Sequence, residues 1–177
     1  MAVPTRAALA ALLLALSACS PTFNWRDWAV EGTPLKATLP CKPEAASRPV
    51  PMLGTPVALH MLSCEAGGLR FALAWAEIAE AGQAAQALTA WQGASLQSLR
   101  ATAAPGDPAL IWPVGVPGVS QVTGLQAQGV DPQGQPVQAR QAYFSRGRQI
   151  FQVAVYGERV DAAVTEAFFG GLRLPSP

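Results

Sequence analysis

Apolar and polar residues alternate in the first part of the chain. Leu35, Ala37 and Leu39 are separated by single polar residues and are followed by a proline. A period of two is typical of a strand with one buried face. Just before it, residues 23–30 interleave aromatic and charged side chains, which predicts a short first strand.

A hairpin is predicted in the next part of the chain. Residues 57–64 and 69–76 both have strand-like patterns, and the linking residues 65–68 include two glycines. Glycine adopts positive φ without steric cost, which tight hairpin turns need. Residues 43–56 precede this hairpin and carry four prolines, so they are predicted to form a connecting loop.

The pattern changes at residues 82–104 to an Ala- and Gln-rich segment. Leu88, Trp91, Leu96 and Leu99 recur there at helical spacing, and Pro105-Gly106 follows. The segment is therefore predicted to be one long amphipathic helix that ends at this pair.

The last part of the chain predicts three strands and a short helix. Residues 119–128, 135–145 and 148–156 are strand-like and are separated by turn residues. Asp161 is placed to cap a helix over residues 162–169. The whole order predicts an α+β fold with a mainly antiparallel sheet of about six strands.

The N-terminus has the features of a secretory signal peptide. Arg6 is followed by an apolar run over residues 7–16 and by small residues before Cys19. The run is about half of the ~20 residues that a membrane-spanning helix needs. Residues 1–18 are therefore predicted to be an export signal that is removed.

The four residues Leu16-Ser17-Ala18-Cys19 resemble the lipobox of bacterial lipoproteins. The resemblance implies cleavage before Cys19 and acylation of that residue with diacylglycerol and an N-linked chain such as palmitate. It also implies a lipid anchor at the periplasmic face of the envelope. Ser20, where aspartate favours inner-membrane retention, favours the outer membrane. The alternative is an ordinary secreted protein with Cys19 at its cleavage site.

Length and charge limit the mature chain further. Removing the first 18 of 177 residues leaves 159, with eleven basic and eleven acidic side chains. We interpret residues 19–31 as the lipidated anchor and first strand, and residues 32–177 as one globular domain. A net charge near zero builds no basic surface, which argues against nucleic acid as a partner.

Cys41 and Cys64 remain once Cys19 carries lipid. In an oxidising compartment, a disulfide between them is expected. It would close a loop of 24 residues and contribute roughly 3 kcal/mol by chain entropy. The alternative of a redox pair lacks the usual Cys-x-x-Cys spacing.

Candidate chemistry is sparse. His60 is the single histidine and lies in a predicted strand, where we favour a surface or partly buried position over a catalytic base. Glu77 and Glu80 are interpreted as solvated charges near the start of the long helix. Residues 115–118 lack the lysine and hydroxyl of a phosphate-binding loop. The sequence therefore predicts no enzyme, no cofactor and no metal site.

Two segments are candidate interaction surfaces. Trp25, Arg26 and Trp28 follow the anchor, where tryptophans favour interfaces and an arginine can lie over an indole. The alternative places these tryptophans in the core. Leu110, Ile111 and Trp112 lie in a proline-punctuated connection, which is either an exposed apolar patch or a buried edge strand.

Several structural motifs together resemble bacterial domains of the PsbP and Mog1 type over residues 32–174. These are residues 39–43, the long helix, the strand with Ala139-Arg140, residues 148–156, and Phe168-Phe169 to Leu174. The resemblance implies an α+β fold that binds other proteins, and it carries over no site residues. We therefore expect a noncatalytic accessory lipoprotein that binds another envelope protein. The alternatives are an envelope-acting enzyme, a small-ligand-binding lipoprotein and a purely structural component.

Overall fold

The computed structural model describes residues 22–103 and 106–175. The predicted signal peptide and Cys19 lie outside these residues. No helix within them has the length and apolar character needed to span a membrane. The strands are β1 (Arg26–Ala29), β2 (Lys36–Leu39), β3 (Glu44–Met52), β4 (Thr55–Ala66), β5 (Leu69–Glu77), β6 (Val122–Val130), β7 (Pro136–Arg146) and β8 (Gln149–Gly157), and the helices are α1 (Ala84–Ser98) and α2 (Ala162–Gly170).

Six strands form one antiparallel sheet in the order β3-β4-β5-β8-β7-β6. β1 and β2 form a separate antiparallel pair. This confirms the predicted α+β class with a mainly antiparallel six-stranded sheet. The predicted hairpin is β4 and β5, which are joined through Gly67 and Gly68, both at positive φ.

One face of the sheet is covered by the β1–β2 pair and α2. Phe71, Val153 and Phe144 point into this layer and are fully buried. From α2, Phe168 packs edge-on against Phe71, with ring centroids 5.1 Å apart. Asp161 caps α2 as predicted, because its Oδ1 accepts the N–H of Val164 at 2.9 Å.

The other face of the sheet is covered by α1. Ala76 and Ala87 are fully buried between helix and sheet, and the half-buried Trp91 packs edge-on to Tyr143. A chain of polar side chains also lies in this layer. Gln152 donates to Ser95 Oγ and to the Tyr143 hydroxyl, which donates to Gln141. Burial raises the pKa of Tyr143, so the phenol stays protonated and keeps donating.

The prediction of a loop over residues 43–56 is wrong, because β3 occupies most of it. β3 pairs with β4 over nine residues, from Glu44 opposite Ser63 to Met52 opposite Thr55. Proline lacks an N–H and is tolerated in a sheet only where that N–H is not needed, such as the outer side of an edge strand. The prolines of β3 occupy such an edge.

The predicted helix over residues 82–104 is too long. α1 ends at Ser98, and Arg100 follows in the left-handed conformation, with φ of 47°. The N–H of Arg100 bonds to the carbonyl of Gln97, and the N–H of Ala101 bonds to that of Leu96. This is a Schellman motif, which ends the helix before Pro105-Gly106 is reached.

Candidate functional site

Cys41 and Cys64 form the predicted disulfide, with their Cα atoms 5.9 Å apart. Cys41 follows β2, and Cys64 is buried near the end of β4. The bond therefore ties the β1–β2 pair to the six-stranded sheet.

Trp25 and Trp28 border the main core. Trp25 is half-buried and meets Phe71 edge-on at 5.9 Å between ring centroids. Trp28 also packs against this core, and its Nε1 is buried without a hydrogen-bond partner among the described residues. Arg26 between them is exposed, and its Nε donates to Asn24 Oδ1 at 3.4 Å.

The second candidate segment is divided between core and surface. Leu110 is buried beside α1, whereas Ile111 is 57% exposed. Trp112 is half-buried against Phe169 of α2, with ring centroids 4.8 Å apart. Trp112 thus packs against the same core as Trp25 and Trp28, and Ile111 is the member that faces solvent.

His60 lies on β4, half-exposed and stacked on Trp75 with ring centroids 5.1 Å apart. Glu77 forms an ion pair with Arg148 in the turn before β8, and Glu80 is exposed. Across residues 22–103 and 106–175, no group of three or more His, Cys, Asp or Glu side chains is arranged to hold a metal ion.

The outer edge of β3 is open. β3 is the terminal strand of the sheet, and no other described segment pairs with its outer side. Pro51 is paired with Pro56, and neither has an N–H, so this pair exchanges no main-chain hydrogen bonds. Bonded and non-bonded pairs alternate along an antiparallel ladder. Pro49, Ser47 and Ala45 therefore also point their main-chain groups away from β4.

The opposite edge of the sheet is closed. Leu99 accepts the N–H of Val130, and Trp112 donates its N–H to Gly124, so two connecting segments lie along the outside of β6. Gly124 and Gly129 permit this close approach, because a Cβ at either would lie 2.0 Å from the carbonyl oxygen of Trp112 or Leu99. The open edge of β3 is thus a distinct feature of one side of the sheet.

The β3–β4 hairpin is also exposed on both faces. Seven of the nine residues of β3 are exposed, and most of β4 is only half-buried. Leu59 and Met61 lie on one face of β4, whereas Leu62 lies on the other with His60. Leu59 and Leu62 are partly buried against the cores on the two faces, so the exposed residues of β3 and its open edge make this hairpin the candidate binding surface.

A cleft of about 360 Å³ lies between β7 and the start of α2. Its lining includes Arg140, Trp112, Val160, Thr165 and Glu166. Sequence reasoning did not select Arg140 as a site residue. The alternation along β7 does indicate its position, because Arg140 lies on the same face of the strand as the buried residues 142 and 144.

In three comparisons, the chain matched no family of known proteins, no curated protein and no solved structure.

Proposed function

We propose that this protein is a noncatalytic, lipid-anchored envelope protein that binds an extended segment of another envelope protein along the outer edge of β3. The bound segment adds a seventh strand to the sheet. Main-chain hydrogen bonds supply much of the affinity in this mode of recognition, and the side chains beside them supply the specificity. The observation that carries the proposal is the open, nine-residue edge of β3.

The pattern of prolines favours a different protein over a second copy as the occupant. The outer edge offers the carbonyls of residues 45, 47, 49 and 51, but N–H groups only at Ala45 and Ser47. Two copies could also pair antiparallel along this edge. A ladder longer than Ala45 and Ser47 would then include Pro49 of each copy, which has no N–H to donate. A strand without proline can donate to all four carbonyls, so it forms the longer ladder.

Charges on β3 restrict the partner further. Glu44 and Arg48 are exposed on the same face of the strand, and no ion pair among the described residues involves either of them. Opposite charges across neighbouring strands stabilise a sheet, and like charges destabilise it. The expected segment is extended, free of proline, and carries a basic residue near Glu44 and an acidic one near Arg48.

The proposed cellular location of the protein rests on two features. The lipobox resemblance of residues 16–19 implies acylation of Cys19, and the disulfide between Cys41 and Cys64 suits an oxidising compartment. We place the domain at the periplasmic face of the envelope, with the outer membrane favoured over the inner. The α+β architecture also supports the proposed kinship with PsbP and Mog1 type domains.

The edge proposal is tested with Ser47→Pro, which removes an outward N–H and puts a pyrrolidine ring in the path of an added strand. A photo-crosslinking amino acid at Ala46, whose side chain is exposed, reports on the partner in a Gram-negative host. We expect crosslinking of the full-length protein to one envelope protein, and a loss of about tenfold with Ser47→Pro.

Ser47→Ala is the matched control, since it changes the side chain and keeps the N–H. It should crosslink as the unchanged protein does, and both variants should keep the same thermal unfolding midpoint. Equal crosslinking by Ser47→Pro and Ser47→Ala would overturn the edge proposal. So would an adduct that contains only two copies of this chain.

The anchor is tested separately by fractionating membranes from cells that express the full-length protein or Cys19→Ala. We expect the unchanged protein in the outer-membrane fraction, with an N-terminal mass that includes acyl chains, because several chains hold a protein stably on a bilayer. Cys19→Ala should leave the membrane fraction. Soluble unchanged protein would contradict the lipoprotein assignment.

A further inference from the structure

The cleft between β7 and α2 holds a cation, Arg140, that has no ion-pair partner among the described residues. Arg140 is half-buried on β7, between Val155 on β8 and Gln126 on β6. The ion pairs formed by the described residues involve Arg70, Arg148 and Arg173, and none includes Arg140.

Burial lowers the pKa of Arg140, because desolvation disfavours its charged form. A guanidinium remains protonated even so, and it is therefore a charge that the fold has partly removed from water. Such a group gains stability from an anion that supplies paired hydrogen bonds.

The start of α2 adjoins this cation. α2 begins at Ala162, which lines the cleft, and the carboxylate of Asp161 offsets the positive end of the helix dipole there. The capping carboxylate of Asp161 is engaged by the N–H of Val164. The connection that leads into the helix is held in place by Gln138, whose Oε1 accepts the N–H of Val160 at 3.1 Å.

Trp112 and Val160 form an apolar part of the wall. Trp112 is held against Phe169, and Val160 is buried beside it in the main core. The cleft therefore combines a cationic group with an aromatic wall in a volume at the lower end of small-ligand sites.

We propose that this cleft binds a small organic monocarboxylate, with its carboxylate on Arg140 and its apolar body against Trp112. Glu166 also lines the cleft and disfavours ligands with a higher negative charge, because like charges repel at short range. This site is separate from the β3 edge, so either proposal can fail without the other.

The test uses the full-length chain, purified in a nonionic detergent, and isothermal titration calorimetry with benzoate as the probe. We expect saturable one-to-one binding of benzoate and none of benzamide, which has the same ring without the charge. Arg140→Gln should weaken binding by about tenfold or more, since the charge-assisted hydrogen bonds are lost.

Two further variants make the result specific. Glu166→Gln should tighten benzoate binding by about two- to fivefold, because it removes a nearby negative charge. Arg146→Gln, which lies further along β7 and does not line the cleft, should leave the affinity unchanged. Inorganic phosphate should bind more weakly than benzoate.

Several outcomes would overturn the site. These are no binding of benzoate, equal binding of benzoate and benzamide, or equal affinity in Arg140→Gln and the unchanged protein. Tighter binding of phosphate than of benzoate would overturn the carboxylate class. If Arg140→Gln unfolds, Glu166→Gln decides, because tighter benzoate binding supports the site and unchanged binding removes it.

Discussion

Arg100 shows how a single residue can end a helix at a cost in backbone strain. It is exposed and has φ of 47°, the conformation that the Schellman motif requires after the last helical turn. A side chain in this region costs roughly 1–2 kcal/mol, whereas glycine adopts it freely. Arg100 forms no ion pair among the described residues, so replacing its side chain breaks none of them.

We therefore expect Arg100→Gly to stabilise the protein by about 0.5–1 kcal/mol, after the greater entropy of glycine in the unfolded chain is subtracted. Urea unfolding followed by circular dichroism measures this change. Arg100→Ala is the control and should give no gain, because alanine keeps the Cβ that causes the strain. Equal stability of the glycine and alanine variants would contradict this account.

At the scale of elements, the two edges of the sheet differ in how they are protected. β6 is covered by the segments around Leu99 and Trp112. These segments lie close to β6 because the residues they pass, Gly124 and Gly129, have no side chain. No described segment covers the outer edge of β3, and β3 carries prolines, which natural sheets use on edges to limit pairing between copies. The sheet is therefore closed on one side and selectively open on the other.

Gly129→Ala tests the closed edge. Its Cβ would lie 2.0 Å from the carbonyl oxygen of Leu99, so the covering segment has to shift. We expect a loss of about 2–3 kcal/mol, in the range of overpacking changes. Thermal unfolding by differential scanning calorimetry measures it.

Gly93→Ala is the comparison, because a Cβ at Gly93 in α1 meets nothing within 4 Å. It should stabilise the protein by up to about 1 kcal/mol through helix propensity. The two glycine-to-alanine changes are thus predicted to have opposite signs. A mild or stabilising effect of Gly129→Ala would mean that the covering segment is easily displaced.

At the scale of the whole molecule, the disulfide joins parts of the fold that the sheet itself does not join. The β1–β2 pair has no ladder with the six strands, and Cys41–Cys64 links it covalently to β4. The two layers also meet through side-chain packing in the main core around Phe71, and Gln149 Nε2 of β8 donates to the carbonyl of Gly32 at 2.8 Å. The cross-link therefore limits how far the two sheets separate when the protein unfolds.

Reducing the disulfide should lower the free energy of unfolding by about 3 kcal/mol, from the entropy of the loop that it closes. Guanidinium unfolding of the same protein with and without a thiol reductant measures this directly and leaves all side chains in place. The double variant Cys41→Ala, Cys64→Ala should be no more stable than the reduced protein. Equal midpoints for oxidised and reduced protein would show that the bond contributes nothing to stability.

The sequence alone determined the features that depend on local periodicity and turn chemistry. The β4–β5 hairpin, the three strands β6 to β8, and α2 with its Asp161 cap lie where the pattern predicts them, within a few residues. Hydrophobic alternation reports the buried face of a strand, and glycine or aspartate reports a turn or cap, so no distant contact is needed. The disulfide between Cys41 and Cys64 was also predictable, because these are the two cysteines that remain in a chain with a predicted export signal.

Only the tertiary structure decided the features that depend on neighbours distant in sequence. A segment rich in proline is predicted to be a loop, because proline is tolerated in a strand mainly at the edge of a sheet. The edge position of β3 follows only from the tertiary structure. The Schellman motif ended α1 before its apolar pattern did, and packing against the sheet separated the exposed Ile111 from the buried Leu110. The Arg140 cleft exists because β7, α2 and residue 112 meet in space, and no spacing along the chain encodes that meeting.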